Sequence, residues 1–182
     1  MLIKFKNHSP KLGQNVFVAE GAKIIGEIEI GDESSIWFNC VLRADVNFIK
    51  IGKRTNIQDL STVHVWHREF DEKGKLKDAG FPTIIGDDVT IGHSCVIHAC
   101  VIKNRVLIGM NAVIMDNALI EEDSIVGAGS VVTKGKKFPP RSLILGNPAK
   151  FVRELNDEEV SFLKQSALNY VDFKNEFLKD LQ

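Results

Sequence analysis

The stretch Ile91-Gly92-His93-Ser94-Cys95-Val96-Ile97-His98 decides how the rest of the chain is read. Ile91 and Ile97 stand six residues apart, glycine follows the first, and Cys95 lies four residues after it. The same spacing runs in both directions. Aliphatic residues recur at Val18, Ile24, Ile30, Ile36 and Leu42, then at Ile51, Ile57 and Val63, then at Ile85, Ile91 and Ile97. After one five-residue step they continue at Ile102, Ile108, Ile114, Ile120, Val126 and Val132. Glycine follows the aliphatic residue at positions 31, 52, 86, 92, 109 and 127. Four residues after it comes a small or β-branched side chain: Ser34, Cys40, Thr55, Ser61, Val89, Cys95, Ala112, Ala118, Ser124, Ser130.

A period of six matches neither a 3.6-residue helix nor the alternation of a long strand. It fits very short strands joined by corners, three to a coil, with the aliphatic and the small residue both facing inward. Small inward residues leave room for the large ones near each corner. Glycine after the aliphatic residue suits a backbone that bends or approaches another closely. The expected fold class is an all-β solenoid, a parallel β-helix of hexapeptide repeats over 1–150, with a C-terminal α-helix in 151–182. Cys40, Cys95 and Cys100 are read as small core residues.

Composition narrows the function classes. The 182 residues suffice for one domain with a substantial core. A net charge of -1 gives no basis for a nucleic-acid partner or an anionic membrane. Met1 to Lys6 is too short and too charged for a signal peptide, and no apolar run approaches the roughly 18 residues of a membrane span. Three cysteines, an odd number, fit a reducing compartment rather than a disulfide framework. A cytoplasmic, soluble protein is expected.

Two interruptions stand out. Nine residues rather than six separate Leu42 from Ile51, and 22 separate Val63 from Ile85. The second holds a long polar loop, 65–82, directly after His64; loops of that length are usually functional or disordered. The repeat is expected to end around Lys134–Pro140, with Gly146-Asn147-Pro148-Ala149-Lys150 as a turn off the prism. Asn156 and Glu159 then form a capping-box start for a helix. Its apolar stripe runs through Val160, Leu163, Ala167, Val171, Leu178 and Leu181, widened by Phe162, Phe173 and Phe177. That stripe must bury along its own prism or against a neighbour.

Counting faces places the histidines. Val63 and Ile97 share a face one coil apart, so His64 and His98 should stack at the 4.7–4.9 Å spacing of neighbouring strands. Their rings can share one ion. His93 belongs to the preceding face and points around a corner, out of reach within one chain. In a threefold trimer, His93 of one chain could complete the site begun by His64 and His98 of another. Three imidazoles with an open water position is the composition of a catalytic zinc site. Arg43 falls below His64, Asp59 directly under His93, and Gln58 one coil below on the face of His93. Arg43 and Asp59 could pair across the interface, and Gln58 could hold a metal-bound water. His8 and His67 fall outside the rule; His67, in the loop, could still line the site or shuttle protons.

Leu42-Arg43-Ala44-Asp45-Val46, Asn56-Ile57-Gln58-Asp59, Val63-His64 and Gly92 to His98 together resemble the γ-class carbonic anhydrase family. The likeness covers nearly the whole chain and is nearest to short bacterial members labelled as hexapeptide-repeat transferases. The resemblance implies a left-handed β-helix in a homotrimer, with Zn2+, or Fe2+ or Co2+, held by His64, His93 and His98. It also implies that Arg43, Asp45 and Asp59 form the interfacial ion-pair set and that Gln58 lies beside the metal-bound solvent. The implied reaction is hydration of CO2 to bicarbonate by metal-bound hydroxide. Val46 stands where some members have a glutamate, so the acidic proton shuttle is missing from that position. Two alternatives share the repeat: an acyltransferase using coenzyme A, and a trimeric metal-binding scaffold without turnover.

Overall fold

A computed structural model describes residues 1–180. The six-residue period closes into a parallel β-solenoid of about eight turns with one C-terminal helix. Three columns of inward aliphatics run along it in register. One is Leu42, Val63, Ile97, Ile114 and Val132. The second is Ile57, Ile91, Ile108, Val126 and Ile144. The third is Ile51, Ile85, Ile102, Ile120 and Phe138. Apart from Phe138 all are essentially inaccessible to solvent, and burying each such side chain contributes about 1.5–3 kcal/mol.

The corners are turned by the residue three positions after the aliphatic one. Asn39, Leu60, Ser94, Asn111 and Asn117 all have φ between 55° and 64°, and Ala99 with φ 48° does the same in the five-residue step. Glycine after the aliphatic residue serves close approach instead of bending. A Cβ on Gly52 would lie 2.5 Å from the carbonyl carbon of Gly86, and one on Gly109 2.4 Å from the nitrogen of Ala128. The small inward side chains also bond the next coil. Ser34 Oγ donates to the carbonyl of Gly52 (2.8 Å), Thr55 Oγ1 to Gly86 (2.7 Å) and Ser61 Oγ to Gly92 (3.0 Å). Cys40, Cys95 and Cys100 are buried thiols.

One corner carries charge of alternating sign: Glu33, Arg54, Asp88, Arg105, Asp123 and Arg141, stacked coil upon coil. Arg54 donates to Asp88 through Nε and Nη2 at 2.6 and 2.8 Å, and Arg105 to Asp123 at 2.6 and 2.9 Å. Glu33 binds Nζ of the fully buried Lys174 at 2.8 Å, and Arg141 binds Asp157 at 2.7 Å.

The solenoid is longer than the aliphatic pattern implies. Phe138 and Ile144 continue the inward columns past Val132, and Leu12 pairs with Ile30 ahead of Val18. Phenylalanine fills an aliphatic slot at 138 on the last strand of its face, so Pro139 stands where Lys103 and Glu121 donate to the coil above but no further strand waits to accept. Every departure from six residues falls on a single corner. Against the strand Lys23–Ile30, the strand Val41–Ile51 pairs Ala44 with Gly26 and then Ile49 with Ile28, so Asp45–Phe48 form a bulge. The loop 65–82 contains a small hairpin, Glu69–Phe70 against Leu76–Asp78.

Past the hairpin of Ser142–Gly146 with Ala149–Glu154, the helix runs from Asp157 to Asp180. The expected capping box is reciprocal: Glu159 N–H donates to Asn156 Oδ1 and Asn156 N–H to Glu159 Oε2, both 2.9 Å. The helix packs along its own prism through Leu163, Ser166 and Ala167. Tyr170 and Phe177 set their rings edge-on to Trp37, at 5.7 and 5.3 Å. Phe162, Phe173 and Phe177, expected to widen the buried stripe, are all exposed, although Phe177 still lays one edge against Trp37, and Leu181 lies outside the described residues. No described helix is long and apolar enough to cross a membrane.

Truncating one inward residue should be expensive. Ile108→Ala is expected to cost about 2–5 kcal/mol in denaturant unfolding; a loss below 1 kcal/mol would contradict a close-packed column. The helix start adds a pH signature. The hydrogen bond from Arg153, then that from the Asn156 N–H, pulls the Glu159 carboxyl from 4.5 to about 2. Its folded value is depressed, so its stabilisation is complete above about pH 4.5 and is lost as pH falls towards 2. An NMR titration should show the Glu159 midpoint near 2, moving up towards the ordinary glutamate range in Arg153→Ala.

Candidate functional site

The irregular corner gathers the polar side chains. His64 closes the strand Thr62–His64 and His98 the strand Val96–His98, and the two are register partners. Their rings lie 5.1 Å apart, with His64 Nδ1 facing His98 Nε2 at 3.1 Å. Each ring is held from its far side by a carboxylate. His64 Nε2 meets Asp45 Oδ1 at 3.0 Å, and His98 Nδ1 is hydrogen-bonded to Asp116 Oδ1. Carboxylate oxygens only accept, so the protons sit on those far nitrogens. The two nitrogens that face each other are then both lone-pair acceptors, an arrangement that one cation between them satisfies.

Burial, the largest influence, favours the neutral ring and lowers His64 below the ordinary histidine range, although the hydrogen bond to Asp45 pulls the other way. Burial would raise Asp45, but hydrogen bonds from His64 and Arg43 outweigh it and hold the carboxyl below its usual range. The bulge is what brings Asp45 here. Arg43, two residues earlier on the same strand, donates to Asp45 Oδ2.

His93 stands around the corner with Nδ1 2.7 Å from Asp59 Oδ2, as the column count expects, and its side chain is 46% exposed. Nε2 of His93 remains available as a donor atom. Among the described residues, no three His, Cys, Asp or Glu side chains converge on a metal position within the chain. Gln58 and His93 line a groove of about 520 Å³ beside the C-terminal helix. Gln58 Nε2 donates to Asn56 Oδ1 (3.2 Å), Asn56 Nδ2 donates to Thr90 Oγ1 (3.0 Å), and Thr90 Oγ1 meets Ser166 Oγ at 3.3 Å. With Nε2 engaged, Gln58 offers Oε1, an acceptor. Trp66, at the start of the 65–82 loop, stands edge-on to His98 (6.4 Å, 87°) and stacks on His67 (5.2 Å, 28°). His8, bridged to Phe5, lines a cleft of about 350 Å³ together with Asp45, Asn47 and His67.

Asp116 was not visible in the repeat count. It follows Ile114 by two residues, whereas His98 follows Ile97 by one. Counting a further coil and allowing one residue of slack would have found it. Asn56 and Thr90 stand just before the inward Ile57 and Ile91, where the repeat rule assigns no role, and Ser166 lies on the helix, outside the repeat.

Residues 99–134 match the repeat family described as "Bacterial transferase hexapeptide (six repeats)". The solenoid is also that of a hexapeptide transferase family protein from Anaplasma phagocytophilum, with a TM-score of 0.88 and 40% identity over 97% of this chain and 98% of that one. A carbonic anhydrase of Geobacillus kaustophilus is 40% identical over 100% of this chain and 93% of its own length. Gamma carbonic anhydrase 2, mitochondrial, of Arabidopsis thaliana is 44% identical over 94% of this chain, which spans 59% of that relative's length. The chain belongs to the γ-class carbonic anhydrase family.

The proton positions can be checked directly. Long-range 1H–15N spectra of metal-free protein near pH 8 should show the Nε2–H tautomer for His64 and the Nδ1–H tautomer for His98 and His93. The opposite tautomer at His98 would break the pairing with Asp116.

Proposed function

We propose that this protein is a metal-dependent carbonic anhydrase, hydrating CO2 to bicarbonate at sites shared between the subunits of a homotrimer. The observation that carries this reading is the pair of imidazole nitrogens facing each other across 3.1 Å, each ring braced from its far side by a carboxylate. Two nitrogens about 2.0–2.1 Å from a tetrahedral zinc ion lie about 3.3 Å apart. His64 and His98 of one chain, with His93 of the next, would hold Zn2+, and Fe2+ or Co2+ accept the same donors. The half-exposed ring of His93 suits a residue that reaches outward.

The chemistry a bound zinc ion supplies there is Lewis acidity, which brings the pKa of water to about 7 and makes it a nucleophile at neutral pH. Asp45, Asp116 and Asp59 keep each imidazole in the tautomer that leaves one nitrogen for the ion. Gln58 Oε1 accepts a hydrogen bond from the attacking water and so orients its lone pair towards CO2. Arg43 and Asp59 of adjacent subunits pair and set the register of the assembly. His67, half exposed and stacked on Trp66, carries the released proton towards solvent.

Protein loaded with zinc, or anaerobically with iron or cobalt, should hold one ion per chain, have the mass of three chains, and hydrate CO2 in stopped flow. A shared site makes a sharper demand. His93→Ala and His98→Ala are each expected to be inactive, yet co-refolded at equal amounts they should regain about a quarter of the sites. A monomer, or no activity above metal-free protein with any of the three metals, would remove the reading.

A further inference from the structure

The bulge that delivers Asp45 carries a second polar residue two positions on. Asn47 is 2% exposed, although nothing in the ligand set touches it. Its Nδ2 donates to the carbonyl of Trp66 (3.0 Å) and to that of Ala79 (2.8 Å), so one side chain ties both feet of the 65–82 loop. Its Oδ1 accepts from the N–H of Phe48, which fixes the amide's orientation. Around it the feet are joined to each other and to the bulge. Trp66 N–H donates to Phe81 (2.9 Å), Arg68 N–H to Val46 (3.3 Å), and the Arg68 guanidinium reaches Glu27 (3.3 Å). Gly80, at φ 61°, runs so close to His67 that a Cβ there would lie 2.1 Å from the His67 carbonyl oxygen.

What the clamp presents is Trp66. The indole stands against His98, stacks on His67 and lies under the Lys134 ammonium, 5.5 Å from the ring. We infer that Asn47 is a positioning residue: by locking both feet of the loop it holds Trp66 as the wall of the site on the His98 side. Because Asn47 and Asp45 belong to one bulge, the strand that braces His64 also sets where the wall stands. The catalytic consequence rests on the hydration reading above; the clamp itself does not.

Asn47→Asp tests it with almost no change of shape, since it keeps the acceptor for Phe48 and loses both donations. Hydrogen exchange at the Trp66 and Arg68 amides should accelerate about tenfold or more, while the Val96 and Gly109 amides of the solenoid stay protected. Iodide quenching of Trp66 fluorescence, read in a Trp37→Phe background, should rise. In zinc-loaded protein kcat should fall about tenfold or more at nearly constant KM. Trp66→Ala should cause a similar loss, and the double variant should be no worse than either single one. Wild-type exchange and quenching in Asn47→Asp would overturn the clamp whether or not the protein hydrates CO2. Faster exchange with unchanged kcat, or additive losses in the double variant, would overturn the positioning role. If the wild type proves inactive, the hydration reading falls and the clamp is decided on exchange and quenching alone.

Discussion

A positive φ three residues after each inward aliphatic side chain is the constraint on which this molecule depends. A residue with a Cβ in that conformation loses roughly 1–2 kcal/mol, and the chain adopts it at nearly every corner. What offsets the cost is repetition. Each corner lets two further inward residues reach the axis, and each coil lends the next a full set of backbone partners. The hydroxyls of Ser34, Thr55 and Ser61 complete the arrangement by donating to the glycine carbonyls of the coil above. A strictly repeating backbone then makes position predictable, because equal offsets from the inward residue stack.

That predictability explains what could be read without coordinates. His64 and His98 share an offset from Val63 and Ile97, and the structure pairs them. Asp59 and His93 share an offset from Ile57 and Ile91, and their side chains meet at 2.7 Å. The three columns of aliphatics followed from the same rule. Where the reading fell short, the rule had been broken or hidden. Phe138 continues the core with a ring where an aliphatic was sought. Asp116 reaches His98 from an offset one residue larger. Asn47 lies in a bulge, where counting stops giving directions, and its role depends on where a loop returns. The Arg43–Asp45 contact arises the same way: offsets alone put Arg43 below His64 but could not show the bulge curling Asp45 towards both.

All the irregularity sits on one corner, and this has a chemical logic. A regular corner offers the same small set of backbone and side-chain directions in every coil. An added bulge, an inserted hairpin and a shortened step at successive levels break that sameness without disturbing the two regular corners. Function-bearing side chains are thereby aimed individually while the solenoid behind them stays close-packed. The imidazole pair shows the result: two rings stacked by the ladder, each turned by a carboxylate, Asp45 from the bulge and Asp116 from the regular step one coil above the shortened one. His93 differs in being supported on a regular corner and left half exposed, so its remaining nitrogen faces outward.

The corner of alternating charge limits how such a chain can change length. Glu33, Arg54, Asp88, Arg105, Asp123 and Arg141 reverse sign at every coil. Duplicating a single coil would set arginine on arginine or carboxylate on carboxylate at the junction, with like charges repelling at hydrogen-bonding distance. Duplicating two coils together would preserve the alternation. Along this edge the solenoid has a parity, and lineages that lengthen or shorten it by tandem duplication or deletion are expected to do so in pairs of coils.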